Sequence, residues 1–560
     1  MIQYRTQRLS LRFFMLMVVL FLAQVGFGFI LAMQQSDPGF LAGTLNFNVV
    51  RAEHLNLAVL WILAGFIGAI FFVGPLLARR ELATPWLIKA LFWAFIVVVL
   101  WNVCTQRLAM QGIAGWWAGQ PWLQQGREYL EAGRITQVAL LAAFATVAYV
   151  VLRTFPPVRE WNEIHWGLGI GVTALAVVWV FGMFYVPRLD LSEYFRWFVV
   201  HYWVEGVWEV IHISLVGFLL VLLFKVDVKS VGFAVFWGVA LVWLSGLIGN
   251  AHHYFWIGTP SFWQFWGSLL SAFEPLPLVF CFWHVYLDAH QNRRPLENAP
   301  AFYFILGSVV LEQVGAGILG FSMTFALTNV WSHGTWVTAS HAHLALFGTF
   351  GMLGLGAAYY AVPAVRGLGN FDQRLGRLGF WLVFVGILGL AFAFAIGGVV
   401  EVYAYRTLGL DWFGGDVRPL MAPYKLLLIP FGLLFLLGAG VTAFDLLTMG
   451  HRTPASAASG RAARQPAGWA RPLSGFEVGT WLTGMWLFGA IVTLGLLSFN
   501  LTSVRVDGNP GLPYLLSWVG YAGLLLTTVL FVWRFLASLE GRMAGAAHAR
   551  EPVRAAAVTA

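Results

Sequence analysis

The segment HYWVEGVWEVIH, residues 201–212, carries three ionisable side chains at intervals of four within a long apolar stretch: His201, Glu205 and Glu209. Side chains four apart are neighbours on one face of an α-helix. An ionisable group at the centre of a bilayer costs about 2.5–3.5 kcal/mol on insertion scales, so its presence in a span indicates function. The segment therefore predicts a membrane helix with one polar, functional face.

The composition of the whole chain is that of an integral membrane protein. Of its 560 residues 59% are hydrophobic and only 10% are charged, whereas soluble domains carry about 25% charged residues. The formal charge of +8 is explained by basic residues in short loops, and no basic stripe indicates nucleic-acid binding. Two cysteines, Cys104 and Cys281, exclude a disulfide framework and a CxxCH haem attachment.

Apolar stretches long enough to cross a hydrocarbon core of about 30 Å recur along the chain. Backbone polar groups in lipid must be satisfied within their own segment, so these stretches are predicted to be helices. The fourteen predicted spans are 11–33, 54–78, 84–104, 134–153, 166–186, 195–224, 231–255, 262–288, 301–327, 336–363, 376–404, 422–448, 475–500 and 512–538.

The spans divide into a large unit and an added pair. Residues 1–448 contain twelve spans, and an Ala/Ser/Pro/Arg-rich linker at 449–474 separates them from the pair at 475–538. The Ala-rich segment 539–560 is predicted to be a flexible tail. Basic residues in alternate loops and at the start of the chain place both termini in the cytoplasm, with the linker on that side.

Six histidines fall within predicted spans, close to glutamates or to each other: His54, His201, His252, His253, His341 and His343. His341 and His343 are two positions apart, hence about 200° apart around a helix, so they point to opposite sides and can ligate two different centres. His54 on another span would complete a bis-histidine haem with one of them.

The adjacent pair His252 and His253, together with His201, offers three imidazoles to a single metal. Imidazole suits iron, copper and zinc alike, so the histidines alone do not identify the metal. A single histidine in a span is more often a hydrogen-bonded packing residue. That interpretation is given to His165, His212, His284, His290, His333, His451 and His548.

At these residues the sequence resembles the haem-copper oxidase superfamily and, within it, the large subunit of cytochrome c-dependent nitric oxide reductases, over about residues 11–448. The segments that carry the resemblance are NVVRAEHLNLAVLW (48–61), GREYLE (126–131), HYWVEGVWE (201–209), GNAHHYFWIG (249–258), SAFEPLP (271–277) and SHAHLALFGTFGML (340–353). The implied fold is an all-α twelve-helix bundle, with two extra C-terminal transmembrane helices here.

The resemblance implies which residues bind the cofactors. His201, His252 and His253 would bind a non-haem iron, with Glu205 as an oxygen ligand where many oxygen reductases have a tyrosine. A carboxylate suits iron better than Cu(I). His341 would ligate a high-spin haem b, and the low-spin haem b would be held by His54 and His343.

The same resemblance assigns functions to further carboxylates. Glu209 and Glu274 would tune the charge of the iron and deliver protons. Glu128 would be a Ca²⁺ ligand that bridges haem propionates, and Glu131 would belong to a proton route from the outer side. Glu312 departs from the expected pattern because an apolar residue is expected there. It marks either an extra proton or quinol contact or a bond to a neighbouring helix, and we adopt the second interpretation.

The implied activity is respiratory nitric oxide reduction, 2 NO + 2 e⁻ + 2 H⁺ → N2O + H2O, in the bacterial inner membrane. The chain has no CxxCH motif, so the expected electron donor is a membrane-anchored redox subunit of cytochrome c or dicopper type, with quinol as the runner-up. Alternatives are a copper-containing oxygen reductase, a quinol-dependent reductase and nitric oxide dismutation. A transporter would show internal repeats, and a simple electron carrier would leave the histidine pair and Glu205 without a role.

Overall fold

In the computed structural model, all the long secondary-structure elements among the described residues are helices. The structure describes residues 2–110, 132–271, 273–274, 276–291, 296–369, 371–411, 417–450, 473–501 and 511–556. Within these ranges, fourteen helices are long and apolar enough to cross a membrane. They are α1 Arg5–Ser36, α2 Phe47–Ala78, α3 Pro85–Arg107, α4 Arg134–Thr154, α5 Glu163–Gly182, α6 Leu189–Phe224, α7 Val231–His253, α8 Ser261–Asp288, α9 Ala299–Met323, α10 Trp336–Val365, α11 Arg374–Thr407, α12 Val417–Thr448, α13 Gly475–Ser498 and α14 Leu512–Leu539.

Each predicted span overlaps one of these helices, so the predicted fold class is confirmed. Helices α2, α6, α9 and α10 are the most buried of the fourteen. A helix that is apolar on all sides belongs in the interior of a bundle. The ionisable side chains on these four helices are therefore shielded from lipid by the surrounding helices.

The regular α-helical hydrogen bonding changes near the candidate functional residues. Four of the described segments adopt π-helical geometry: Phe198–Trp208 in α6, Glu312–Gly320 in α9, Leu344–Gly351 in α10 and Tyr403–Thr407 in α11. The last turn of α7, Asn250–His253, is a 3-10 helix. Such irregular turns frequently occur at functional sites, and here they contain or adjoin most of the candidate ligands on α6, α7 and α10.

The C-terminal pair α13 and α14 packs on the large unit beside α8, α9 and α11. The ring of Trp518 on α14 lies 5.0 Å from that of Phe392 on α11, and Phe535 lies 4.8 Å from Tyr286 on α8. Between the pair and helices α8 and α9 is an apolar cavity of about 310 Å³. The pair is thus integrated into one side of the bundle.

The structure also bears on the boundaries outside the bundle. The helix that contains α14 begins at Leu512 and continues to Ala556, past residue 539, where we expected a flexible tail to begin. Most of the predicted linker, residues 451–472, lies outside the described residues. The division of the chain at 448 stays a prediction.

Candidate metal and haem site

Three histidines from two helices converge where α6 and α7 pack together. His201 lies in the π-helical segment of α6, and His252 and His253 belong to the last turn of α7. One nitrogen from each ring lies within 4.8 Å of the other two, and Nε2 of His253 is 2.9 Å from Nδ1 of His201. The structure therefore brings together the three imidazoles that the sequence assigned to one metal ion.

A carboxylate completes this cluster. Glu205 follows His201 by four residues, and its Oε2 atom is 3.2 Å from Nδ1 of His201. Glu205, His252 and His253 all face the same cavity. The resulting donor set is three nitrogens and one oxygen, which suits a divalent iron better than a soft Cu(I) ion.

The other candidate ligands are oriented by backbone carbonyl groups. In His54, Nδ1 lies 3.0 Å from the carbonyl oxygen of Gln24. In His341 it lies 2.8 Å from that of Gly315, and in His343 it lies 2.8 Å from that of Ala339. Because a carbonyl oxygen only accepts, Nδ1 must carry the proton in each ring, which leaves Nε2 as the electron-pair donor. This arrangement is usual for histidines that ligate metals.

His252 is oriented by a hydroxyl group in the same way. The hydroxyl of Ser271 donates to the carbonyl of Gly267 over 3.0 Å, so it accepts from Nδ1 of His252 over 3.1 Å. Nε2 of His252 is again left free to bind a metal. Sequence reasoning did not identify Ser271, because a serine in a span usually bonds its own helix.

The rings of His54 and His343 face each other with centroids 6.3 Å apart and planes inclined by 32°. Two metal–nitrogen bonds of about 2 Å and two ring radii account for that separation. Gly28 is required beside this pair, because a Cβ atom there would lie only 2.7 Å from Cε1 of His54. The separation of the two rings thus fits bis-histidine ligation of one iron, which would take the place of the Gln24 side-chain amide, 3.2 Å from Nε2 of His54.

One continuous cavity of about 770 Å³ joins the two groups of ligands. It is lined by His54, His343, His341, His252, His253 and Glu205, with His341 and His343 on opposite sides of α10, as their spacing predicts. Cavities of about 300–1,000 Å³ are typical of cofactor sites. Its volume, its apolar walls and its opposed imidazoles fit planar haem groups next to a separate metal ion.

Two more carboxyl groups are buried near the cluster. Glu274 lines the cavity, lies near the hydroxyl of Ser245 and keeps its Oε1 atom without a partner among the described residues. Glu209 is buried one turn beyond Glu205, and its Oε2 atom likewise has no partner in the described part of the chain. Buried charges without partners are costly and such groups neutralise instead, so both side chains are suited to hold a proton.

Some candidate residues are not described. Glu128 and Glu131 fall within 111–131, outside the described residues, so the Ca²⁺ site and the outer proton route stay predictions. Glu312 is not among the residues that line the cavity. It lies on α9, where its Oε2 atom is 3.5 Å from Nδ1 of His212.

The cavity also contains groups that sequence reasoning missed. Glu401 of α11 lines it, is fully buried and accepts the backbone N–H of Trp336 over 2.7 Å. An ionisable residue within a span was the available signal. His333, outside the spans, also lines the cavity. Burial and the nearby guanidinium of Arg406 lower the pKa of His333, so this ring is neutral at neutral pH.

Comparison with known proteins agrees with this architecture. The family described as "Cytochrome C and Quinol oxidase polypeptide I" matches residues 8–434. The chain belongs to this family and is an oxidoreductase of the haem-copper oxidase superfamily, whose members bind haem and metal. The resemblance found in the sequence is thereby confirmed.

Individual relatives lie within the same superfamily. A nitric oxide reductase subunit of Stutzerimonas stutzeri is 32% identical over 410 residues, which is 72% of this chain and 86% of the relative. "Cytochrome c oxidase subunit 1 homolog" of Agrobacterium tumefaciens (strain T37) is 24% identical over 486 residues, 80% of this chain and 86% of that one. A solved structure of a heme-copper terminal oxidase dimer superposes with a TM-score of 0.65 at 15% identity, covering 88% and 92% of the two chains, and shows the common fold.

Proposed function

We propose that this chain is the catalytic subunit of a respiratory nitric oxide reductase, which performs 2 NO + 2 e⁻ + 2 H⁺ → N2O + H2O. The observation that carries the proposal is the carboxylate of Glu205, 3.2 Å from His201 within the three-histidine cluster. A relative named for this activity is 32% identical over most of the chain. The proposed setting is the bacterial inner membrane, with both termini in the cytoplasm.

Each proposed haem and iron has candidate ligands among the described residues. His201, His252, His253 and Glu205 would hold a non-haem iron, His341 a high-spin haem b, and His54 with His343 a low-spin haem b. When bound, these groups supply the electrons and a Lewis acid that polarises the substrate. Ca²⁺ at Glu128 belongs to the same proposal.

The protein itself contributes confinement and protons. The cavity of about 770 Å³ has room for two small molecules side by side, and binding both NO molecules there would make N–N bond formation effectively intramolecular. Glu205, Glu209 and Glu274 are positioned to hold protons at the carboxyl oxygens nearest the cluster. Each turnover consumes two protons, and a buried carboxyl next to the reacting atoms delivers them without opening the site to water.

The proposed electron donor is a separate membrane-anchored redox subunit of cytochrome c or dicopper type. The sequence contains no CxxCH motif and only two distant cysteines, so it has no ligands for a haem c or dicopper centre of its own. The test supplies reduced cytochrome c or quinol separately to the purified chain. Rapid NO consumption with quinol and no second subunit would make quinol the donor.

A second candidate function is oxygen reduction, favoured by the family and by the Agrobacterium relative. Many oxygen reductases of the resembled superfamily have a tyrosine at the position of Glu205. Among the described residues that line the cavity there is no tyrosine. This absence favours the nitric oxide reductase over the oxygen reductase.

Elemental and haem analysis of the purified protein distinguishes the two. The expected content is two b-type haems and one further iron per chain, without copper. Stoichiometric copper and no third iron would refute the iron assignment and support an oxygen reductase.

Replacing Glu205 tests the carboxylate directly. Glu205→Ala removes the oxygen ligand, so NO consumption should be abolished while the optical spectrum of the low-spin haem persists as an internal control for folding. Near-normal turnover with the iron retained would show that Glu205 is only structural.

A further inference from the structure

A second group of buried ionisable residues lies beyond the metal cluster, between α6 and α9. His212 follows Glu209 on α6, and Glu312 begins the π-helical segment of α9. Oε2 of Glu312 is 3.5 Å from Nδ1 of His212, with 5% and 1% of their side chains exposed. We call His212 and Glu312 the inner pair.

The hydrogen bonds of His212 fix which nitrogen is free. The hydroxyl of Ser308 donates to the carbonyl of Thr349 over 2.7 Å, so its oxygen accepts from Nε2 of His212 over 2.6 Å. In the neutral ring the proton is therefore on Nε2, and the basic nitrogen is Nδ1, which faces Glu312. Neither Nδ1 of His212 nor Oε2 of Glu312 has a hydrogen-bond partner among the described residues.

A packing role alone does not account for this arrangement. Two ionisable groups in the membrane interior are costly, and leaving their facing atoms without hydrogen bonds adds about 1–3 kcal/mol for each unsatisfied group. Hydrogen bonding between the helices is already provided by Ser308. The facing atoms are instead suited to share an exchangeable proton, either as a carboxyl next to a neutral ring or as a carboxylate next to an imidazolium.

The inner pair is electrostatically linked to the metal cluster through Glu209. Glu209 is close enough to Glu312 on one side and to Glu205 on the other for their charges to interact. Glu274 likewise interacts with both Glu205 and Glu312. Among the described residues, the titratable groups that interact with the inner pair are therefore Glu209 and Glu274, both carboxyl groups. Loss of a proton from Glu209 leaves a carboxylate that can accept a proton from the inner pair.

The position of the inner pair along the helices gives this transfer a direction. On α6 the order is His201, Glu205, Glu209, His212 and then Phe224, which precedes Lys225. The inner pair therefore lies on the side of the metal cluster that faces the loop with Lys225 and Lys229, one of the basic loops that are predicted to be cytoplasmic. The segment 105–133, with the predicted outer proton route, is expected at the opposite end.

We propose that His212 and Glu312 form a proton-loading site that resupplies Glu209 from the side of the basic loops. The proton leaves Oε2 of Glu312 or Nδ1 of His212, and the carboxylate of Glu209 takes it up. Only O–H and N–H bonds change, no electron moves, and the inner pair is reloaded by one proton from the solvent on that side. The role of Glu209 as proton donor rests on the proposed function.

The test measures proton uptake when the purified holoenzyme is chemically reduced without substrate. A pH-indicator dye counts the protons, and the redox-induced infrared difference spectrum reports protonated carboxyl groups. Glu312→Gln should remove one carboxyl signal and lower proton uptake, and it should slow NO turnover by at least about tenfold, since a general acid or base contributes about 10²–10⁴-fold. Glu312→Asp, which restores a carboxyl group, should recover the infrared signal.

His212→Gln is the second, independent variant, because an amide still bonds Ser308 but holds no additional proton. Asp445→Asn and His165→Gln are matched controls: both wild-type side chains are buried and lie outside the inner pair, so proton uptake should be as in wild type. Wild-type uptake and turnover in both Glu312→Gln and His212→Gln would overturn the proposal. Failure of the wild-type protein to reduce NO would refute the proposed function alone, since uptake on reduction needs no substrate.

Discussion

Replacement of Gly28 by alanine should displace His54 and weaken the binding of the low-spin haem. The new Cβ atom would lie 2.7 Å from Cε1 and 3.0 Å from Nδ1 of the His54 ring. Carbon atoms in contact prefer about 3.5–4.0 Å, so ring and helix must separate by about 0.8 Å. The ring has little freedom to move, because Nδ1 is hydrogen-bonded to the carbonyl of Gln24.

The magnitude follows from the cost of overpacking. Adding a methyl group to a filled interior costs about 1–3 kcal/mol, and a free energy of that size corresponds to about a 5- to 150-fold change in an equilibrium constant. We therefore expect the low-spin haem to bind at least about fivefold more weakly, with part of its signal converted to a high-spin or five-coordinate form.

Gly26→Ala on the same helix is the matched control, because a Cβ atom at Gly26 has no neighbour within 4 Å. Both variants gain helix propensity, about 1 kcal/mol per replaced glycine, so a difference between them reports the contact with His54. The assay is the reduced-minus-oxidised optical spectrum with the haem content per chain. Two haems and an unaltered low-spin signal in Gly28→Ala would refute the geometry assigned to His54.

Three further predictions concern the surroundings of the site. Arg107→Ala should destabilise the protein and perturb the low-spin haem, because the guanidinium of Arg107 donates to both carboxylate oxygens of Glu53 over 2.7 and 2.9 Å. Without it, Glu53 is a buried unpaired carboxylate; truncating one partner of such a pair costs about 2–5 kcal/mol, which should lower the midpoint of thermal unfolding. Gly489→Ala should loosen α13, since its Cβ would overlap an isoleucine of α9, whereas Gly479→Ala, with open space around it, should leave thermal stability unchanged. Burial raises the pKa of Glu81, but hydrogen bonds from the first turn of α1 lower it overall. The stability that these bonds contribute is present above about pH 4.5 and should be lost as the pH falls further, so the hydrogen-exchange protection factors at that turn should decrease; equal protection factors at pH 3.5 and 7 would contradict this.

The fold could be predicted from the sequence because a segment in lipid must form all its backbone hydrogen bonds within itself. Each sufficiently long apolar stretch is therefore a helix, and these stretches alone located fourteen helices. The ends were less well located: the span predicted at 11–33 begins at Arg5 and ends at Ser36. Helix ends depend on capping and on contacts with other helices, such as the bonds from Arg5 and Thr6 to Glu81, which composition does not encode.

The candidate site, too, was only partly predictable from the sequence. Residue type and spacing identified the six histidines and Glu205, because few arrangements other than metal ligation place so many imidazoles in lipid. The pairing of His212 with Glu312 was not foreseen, and His212 was interpreted as a packing residue. The two lie 100 positions apart on separate helices, so only the tertiary structure shows that they face each other.

The π-helical segments make the helices of the site sensitive to changes in length. A π turn corresponds to one extra residue in an otherwise α-helical path, since each bond spans five residues instead of four. Deleting one residue from Phe198–Trp208 would allow α6 to become a regular α-helix, and the helix beyond the deletion would keep nearly its present orientation. The side chains within the segment, His201 and Glu205 among them, would instead change their positions around the helix axis. Evolution can therefore exchange side chains along α6 one at a time, but an alignment gap within this segment would mark a relative whose site is built differently.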